Sequence, residues 1–162
     1  RLPFLAELAT KLGQLTGLPE HGKRLLEQER MLLVFPEGVR GTAKLYSERY
    51  SLVRFGTGFM RLALQTRTPI VPFAFLGAGE ALPTFANFEG LGKLLGLPYL
   101  PLTPYLINIP LPVSLHVRFG APMVPQGTGN EPEKEIEAEV EKVREAIAQL
   151  IAEARVRQES AP

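Results

Sequence analysis

The chain of 162 residues is 45% hydrophobic and 22% charged, a balance that is typical of one globular domain and excludes a disordered chain. Its net charge of +1 points to no class of partner, and the absence of cysteine excludes disulfides, thiolate metal sites and a cysteine nucleophile. The two histidines, His21 and His116, are far apart and show no metal-ligand spacing, so we expect neither a metal nor a cofactor.

The first part of the chain is predicted to form two helices and a strand. The N-terminal helix follows Pro3, has leucines at helical spacing and ends at Gly13 or Gly17. Glu20–Arg30 predicts a second helix. Met31–Phe35 is short and wholly apolar, and therefore predicts a buried strand of a parallel sheet.

A long loop, Pro36–Gly56, separates this strand from the next helix, and its glycines and charges favour a functional loop. Thr57 is predicted to be the N-cap of a helix that runs to Thr66. The apolar stretch Pro69–Leu76 predicts a second strand, in which Pro72 requires an edge position or an irregularity.

The C-terminal part is predicted to add one strand and a long helix. Val113–Phe119 alternates apolar and polar residues, which predicts a half-buried strand. From Pro132 to Arg157 apolar residues recur in steps of four and three, as in an amphipathic helix that packs on the domain. The order of helices and strands predicts an α/β fold with a mixed or mostly parallel sheet flanked by helices. We divide the chain into a domain of residues 1–125 and a C-terminal helix and tail of residues 126–162.

The sequence Phe-Pro-Glu-Gly-Val-Arg-Gly at residues 35–41 directly follows the first predicted strand. Loops at strand ends bind ligands in α/β folds, and a planar guanidinium beside backbone N–H groups suits a phosphate monoester. Six basic residues and a single acidic one lie from Arg40 to Arg67, which favours an anionic ligand or a lipid surface. No stacking aromatics alternate with these basic residues, so we expect no nucleic acid partner.

This sequence resembles the Phe-Pro-Glu-Gly-x-Arg motif of the glycerolipid (lysophospholipid) acyltransferases. Residues 48–59, 69–72, 77–80 and 94–99 also match a bacterial-type branch of that family in type and order. The resemblance covers nearly the whole chain. It implies a fold like that of glycerol-3-phosphate acyltransferase, with the long helix at its C-terminus.

The resemblance implies substrate-binding roles for Pro36, Glu37, Gly38, Arg40 and Gly41. Arg40 would pair bidentately with a phosphate on the acceptor lipid, Gly38 would allow close backbone approach, and Gly41 would permit the turn after Arg40. Glu37 would either orient Arg40 or accept a hydrogen bond from the glycerol, and both roles stay open. The purely structural alternative is a surface ion pair between Glu37 and Arg40.

The segment Leu94–Leu115 contains no charged residue and is long enough to cross a bilayer. Its five prolines forbid a continuous helix, so we reject a transmembrane span. Two interpretations remain open, an apolar lid or tunnel wall that holds an acyl chain and a proline-rich excursion packed on the body.

The family's catalytic signature, His-x-x-x-x-Asp, has no equivalent here. Leu26 and Ala121 stand where His21 and His116 would require the aspartate, so we assign no catalytic residue. In the family the histidine acts as general base on the acceptor hydroxyl and the aspartate orients it. Residue 1 is arginine and no signal peptide is present, so we expect the chain to begin just after this dyad and to be inactive alone.

The implied function is transfer of a fatty acyl group from acyl-CoA or acyl-carrier protein to a hydroxyl of glycerol phosphate or a lysophospholipid. Such an enzyme would be membrane-associated, and we expect it to be peripheral on the cytoplasmic face. The alternative is a non-catalytic module that binds lipid phosphate. A weaker third interpretation is a nucleotide site at Gly77 and Gly79, because Gly-x-Gly follows a predicted strand.

Overall fold

A computed structural model of the protein describes residues 19–88, 100–102 and 110–159. The helices are α1 (Pro19–Glu27), α2 (Val39–Thr42), α3 (Gly58–Thr66), α4 (Ala78–Ala81) and α5 (Glu133–Glu159), with a 3₁₀ helix at Tyr46–Glu48. The strands are β1 (Phe73–Leu76), β2 (Ala86–Phe88), β3 (Leu100–Leu102) and β4 (His116–Phe119). The predicted N-terminal helix and most of Leu94–Leu115 lie outside the described residues.

The strands form two antiparallel pairs. In the first pair, β1 runs against β4 with Phe73 opposite Phe119, and a bridge between Ile70 and Met123 extends it. In the second pair, β2 runs against β3. Mixed helices and antiparallel ladders are therefore what the described residues show, and the mostly parallel sheet stays a prediction.

The long helix α5 builds the core with β1 and α3. Its predicted apolar stripe is buried, with Ile136 only 1% exposed, and it packs against Phe55 and Met60. Further along α5, Ala154 packs against Ala74 and Leu76 of β1. The spacing of four and three places these apolar residues on one face, which explains why the helix lies flat on the sheet. The division of the chain at residue 125 stays a prediction.

Met31–Phe35 is not a strand, which corrects the first strand prediction. Met31 is 96% and Phe35 66% exposed, and no strand among the described residues pairs with this segment. Its contact with the sheet is a side-chain one, an edge-to-face contact of Phe35 with Phe73 at 5.9 Å between ring centroids. An apolar segment becomes a strand only where a neighbouring backbone segment hydrogen-bonds to it. The sequence of the segment does not show whether such a neighbour is present.

Two other local predictions are adjusted, and one at Pro72 fits the structure. The strand around Val113–Phe119 is shorter, His116–Phe119, and all four of its residues are exposed rather than half of them. Thr57 does precede a helix, but its hydroxyl donates to the Glu133 carboxylate at 2.9 Å instead of capping α3. Pro72 lies just before β1, where its carbonyl accepts a hydrogen bond from the Gly120 N–H at 2.8 Å, which fits the predicted irregularity. Among the described residues, no helix combines the length and the apolar character that a membrane span requires.

Candidate functional site

A cavity of about 530 Å³ lies beside the motif loop, in the ~300–1,000 Å³ range of small-molecule sites. Residues of the loop, of β1 and of α5 form its wall, and most of that wall is apolar. The larger apolar side chains include Phe35, Leu52, Phe55, Phe73, Ile147 and Ile151. The charged residues in the wall are Glu37, Lys44 and Arg49. The cavity therefore suits a ligand with a long apolar part.

The Glu37 side chain is partly buried and connects two parts of the motif loop through a hydrogen bond and an ion pair. One carboxylate oxygen accepts a hydrogen bond from the Val53 N–H at 2.7 Å, and the other pairs with Lys44 Nζ at 2.8 Å. Lys44 also donates to the carbonyl of Ser51 at 2.7 Å. We call Glu37 and Lys44 the clasp, because these two side chains join the start of the loop to residues 51–53.

The backbone beside the clasp leaves room for little more than glycine. A Cβ atom on Gly41 would lie 2.6 Å from the Cβ of Glu37. Gly41 belongs to the short helix α2, so this close contact, and not the predicted turn after Arg40, is what requires a glycine there. Gly38 has a φ of 59°, in the left-handed region that favours glycine, and its N–H donates to the Phe35 carbonyl at 3.1 Å. The Pro36 carbonyl accepts from the Gly56 N–H at 3.0 Å, which closes the loop.

Arg40 lies next to the cavity and not in its wall. Its neighbours Gly38 and Gly41 line the cavity, whereas Arg40 is exposed and has no hydrogen bond or ion pair within the described part of the chain. The structural alternative, a surface ion pair between Glu37 and Arg40, is therefore not what the structure shows. Of the two roles left open for Glu37, that of orienting Arg40 does not fit these contacts either. Because the Glu37 carboxylate pairs with Lys44 and the Val53 N–H, the guanidinium of Arg40 is available to a ligand.

A second charged cluster joins the loop to α4, and sequence reasoning missed it. Arg49 Nε donates to Glu80 Oε1 at 3.0 Å, and Arg49 Nη1 donates to the Tyr46 carbonyl at 2.7 Å. The Tyr50 hydroxyl donates to the same Glu80 oxygen. The guanidinium carbon of Arg49 lies 4.0 Å from the centre of the Tyr46 ring and 4.8 Å from that of Tyr50. Arg49, Tyr50 and Glu80 fall within the segments that resemble the acyltransferases, but a pairing across thirty-one positions leaves no local pattern.

The pKa values in this cluster follow from its hydrogen bonds. Burial alone would raise the pKa of Glu80, but the hydrogen bonds from Tyr50 and Arg49 outweigh burial and hold it below its usual value. Burial and the neighbouring Glu80 carboxylate raise the pKa of Tyr50. Glu80 is therefore charged and Tyr50 neutral at physiological pH.

The Gly77 and Gly79 pair does not form a nucleotide cradle. A Cβ atom on Gly77 would meet the Ser114 carbonyl, and one on Gly79 would lie 2.5 Å from Arg49 Cβ. Both glycines are therefore required by contacts with the protein itself. His21 and His116 are exposed, and neither is in the cavity wall that the described residues form.

Comparison with known proteins agrees with the motif. Residues 10–76 match the family model described as Acyltransferase. An uncharacterised protein of Mycobacterium tuberculosis is 38% identical over 129 residues, which cover 75% of this chain and 36% of that protein. An uncharacterised protein of Mycobacterium leprae is 36% identical over 129 residues, with 75% of this chain and 35% of that protein covered.

A further relative is named for its activity. The 1-acyl-sn-glycerol-3-phosphate acyltransferase of Cocos nucifera is 36% identical over 61 residues, 38% of this chain and 18% of that protein. No solved structure matches the chain significantly. The chain thus spans about a third of the length of its mycobacterial relatives.

Proposed function

From the membership of this chain in the acyltransferase family, we propose that it is the lipid-phosphate-binding part of a glycerophospholipid O-acyltransferase. The reaction moves a fatty acyl group from acyl-CoA or acyl-carrier protein to a hydroxyl of glycerol phosphate or a lysophospholipid. The observation that carries the proposal is an unpaired arginine, Arg40, beside a largely apolar cavity. An amphiphile with an anionic head and an apolar chain matches both features.

In this proposal Arg40 binds the phosphate of the acceptor, because its planar fork matches two phosphate oxygens. Pro36, Glu37, Gly38 and Gly41 form the loop that presents it. Glu37 contributes to binding through the clasp, which fixes the loop, and not by touching Arg40. The apolar wall of the cavity accommodates an acyl chain.

The chemical step requires a general base for the acceptor hydroxyl, and we place that base and its orienting acid outside this chain. Lipid substrates place the enzyme at a membrane surface, and we propose a peripheral association on the cytoplasmic face. A module that binds lipid phosphate without chemistry would share the Arg40 site but show no turnover.

The proposal is tested by the kinetics of Arg40 variants in the full-length protein. Arg40→Ala should lower kcat/KM for a phosphorylated acceptor by about thirtyfold or more, which corresponds to the ~2–5 kcal/mol lost when a phosphate loses its partner. Arg40→Lys should be intermediate, because an ammonium cannot reproduce the two-point fork. Arg54→Ala is the matched control, because this exposed arginine pairs with Glu137 on α5.

Melting temperatures complete the experiment, and those of both Arg40 variants should equal the wild-type value. Unchanged acceptor kinetics with a lowered melting temperature would make Arg40 a structural residue and remove the functional interpretation of the motif. Phosphate-dependent binding without turnover in the full-length protein would favour the non-catalytic module.

A further inference from the structure

A second guanidinium, that of Arg49, lies in the cavity wall itself. Its side chain is 27% exposed, and the other cation in the wall, Lys44, is already paired with Glu37. Its own partner Glu80 is outside the wall, as is Arg155, whose guanidinium lies over the Tyr50 ring. Arg49 is therefore the one cationic group that the described wall offers to a ligand inside the cavity without breaking the clasp.

Arg49 is held rigidly in place. Glu80 fixes one edge of the guanidinium, the Tyr46 carbonyl fixes a second nitrogen, and the rings of Tyr46 and Tyr50 lie within 5 Å of its central carbon. Gly79 keeps the backbone of α4 close to the stem of Arg49, since a Cβ there would lie 2.5 Å from Arg49 Cβ. A side chain fixed in this way loses little entropy when it binds a ligand.

The guanidinium retains hydrogen-bonding capacity. It carries five N–H donors, of which Glu80 and the Tyr46 carbonyl take two. The Tyr50 hydroxyl is the other polar neighbour, and it accepts at most one more. Within the described residues no further acceptor satisfies the rest. An N–H donor in a mainly apolar wall is costly to leave without a hydrogen bond. The unused donors of Arg49 therefore favour a ligand that brings an oxygen acceptor into the cavity.

We propose that Arg49 is a binding residue that donates hydrogen bonds to the carbonyl or carboxylate oxygen of a long-chain acyl group in the cavity. This inference rests on the proposed function only in taking the ligand of the cavity to be acyl-bearing. It gives the site two separate contacts. Arg40 binds the phosphate beside the cavity, and Arg49 binds the acyl oxygen within it.

The test is calorimetric titration of the full 162-residue chain with dodecanoate and, separately, with dodecan-1-ol. These probes share one apolar chain length and differ in the carboxylate. The wild-type chain should bind dodecanoate about tenfold more tightly, because a hydrogen bond to a charged group contributes ~1.5–3 kcal/mol. Arg49→Gln should abolish this preference and leave the affinity for dodecan-1-ol unchanged. Arg54→Gln, which removes an arginine outside this cavity, should retain the preference.

Each outcome decides the inference. Equal binding of the two probes by the wild-type chain, or an unchanged preference in Arg49→Gln, would overturn the role of Arg49 and leave the Arg40 experiment unaffected. Binding of neither probe would also overturn it, and would remove the acyl assignment of the cavity from the proposed function. If Arg49→Gln loses dodecan-1-ol as well, Arg49→Lys decides. A reduced preference with unchanged alcohol affinity supports the inference, and any other result contradicts it.

Discussion

At the scale of single residues, the carboxylate of Glu37 is engaged within the protein. Glu37 and Lys44 side chains are 18% and 14% exposed, so their charges are shielded from water and depend on each other. The Val53 N–H and the Ser51 carbonyl complete the hydrogen bonding of the pair. Removing one member leaves the other partly buried without its partner, which is more costly than losing a surface ion pair.

Glu37→Ala is expected to lower the free energy of unfolding by about 1–3 kcal/mol, because it leaves the Lys44 charge without its counter-charge and the Val53 N–H without an acceptor. The measurement is urea denaturation of the purified chain. Arg40→Ala, in the same loop, removes a side chain without a partner among the described residues and should stay within about 0.5 kcal/mol of wild type. Equal losses in the two variants would show that the clasp does not stabilise the loop.

The ionisation of Glu131 is coupled to folding through its hydrogen bonds. Its carboxylate accepts hydrogen bonds from the backbone N–H groups of Thr128 and Gly129 and from the Thr128 hydroxyl. These bonds, first among them that from the Thr128 backbone, lower the pKa of Glu131 from 4.5 to about 2. The folded state therefore holds this carboxylate charged at a pH where the unfolded chain already takes up the proton.

The sign of the pH dependence follows from that lowered pKa. The contribution of Glu131 to stability should be complete above pH 4.5 and be lost as the pH falls to about 2. Glu131→Gln should therefore show a flatter decrease of melting temperature over this interval than wild type. Glu135→Gln, at an exposed position on α5, should keep the wild-type slope. Parallel curves for wild type and Glu131→Gln would contradict the assignment.

At the scale of elements, α5 contributes side chains both to the hydrophobic core and to the cavity wall. Ile136, Val140 and Val143 are buried against α3, while Ile147 and Ile151 reach the cavity wall. One helical face thus serves both the core and the site. A change at Ile136 should act on stability, because this side chain belongs to the core and is not in the cavity wall.

Ile136→Ala is expected to lower the free energy of unfolding by about 2–5 kcal/mol, because Ile136 is 1% exposed and its removal leaves a cavity in close-packed surroundings. Val156, on the same helix, is 64% exposed, and Val156→Ala should change stability by less than about 0.5 kcal/mol. Denaturant unfolding followed by circular dichroism measures both. A small effect at Ile136 would mean that α5 is only loosely packed on α3.

At the scale of the whole molecule, the described residues provide a ligand site without a catalytic base. The charged groups in the described cavity wall are the paired Glu37 carboxylate and Lys44 ammonium and the Arg49 guanidinium. Neither His21 nor His116 is part of this wall. Glu37 is engaged in two interactions and is poorly suited to take a proton from an acceptor hydroxyl.

The 162-residue chain is therefore expected to show no acyl transfer above background, since a positioned general base alone contributes ~10²–10⁴-fold. The measurement is release of coenzyme A from acyl-CoA in the presence of a lysophospholipid. Heat-denatured chain supplies the background rate. Turnover by the native chain that His21→Ala or His116→Ala abolishes would show that the catalytic residue lies within this sequence.

Several local features were predicted from the sequence: the helix after Thr57, the strand at its Phe73–Leu76 core and the full length of α5. They follow from periodicity and from turn residues, which act over a few positions. The predicted loop Pro36–Gly56 instead contains the short helix α2 and the 3₁₀ helix Tyr46–Glu48. The resemblance to acyltransferases rests on such local patterns too, and the comparison with known proteins confirms it.

Only the tertiary structure decided which side chains meet. It paired Glu37 with Lys44 instead of Arg40, joined Arg49 to Glu80, and left Met31–Phe35 exposed and unpaired among the described residues. The physical reason is the sequence distance over which each kind of interaction acts. Helical and strand periodicity are properties of neighbouring residues, whereas an ion pair or a sheet ladder depends on where distant backbone segments pack.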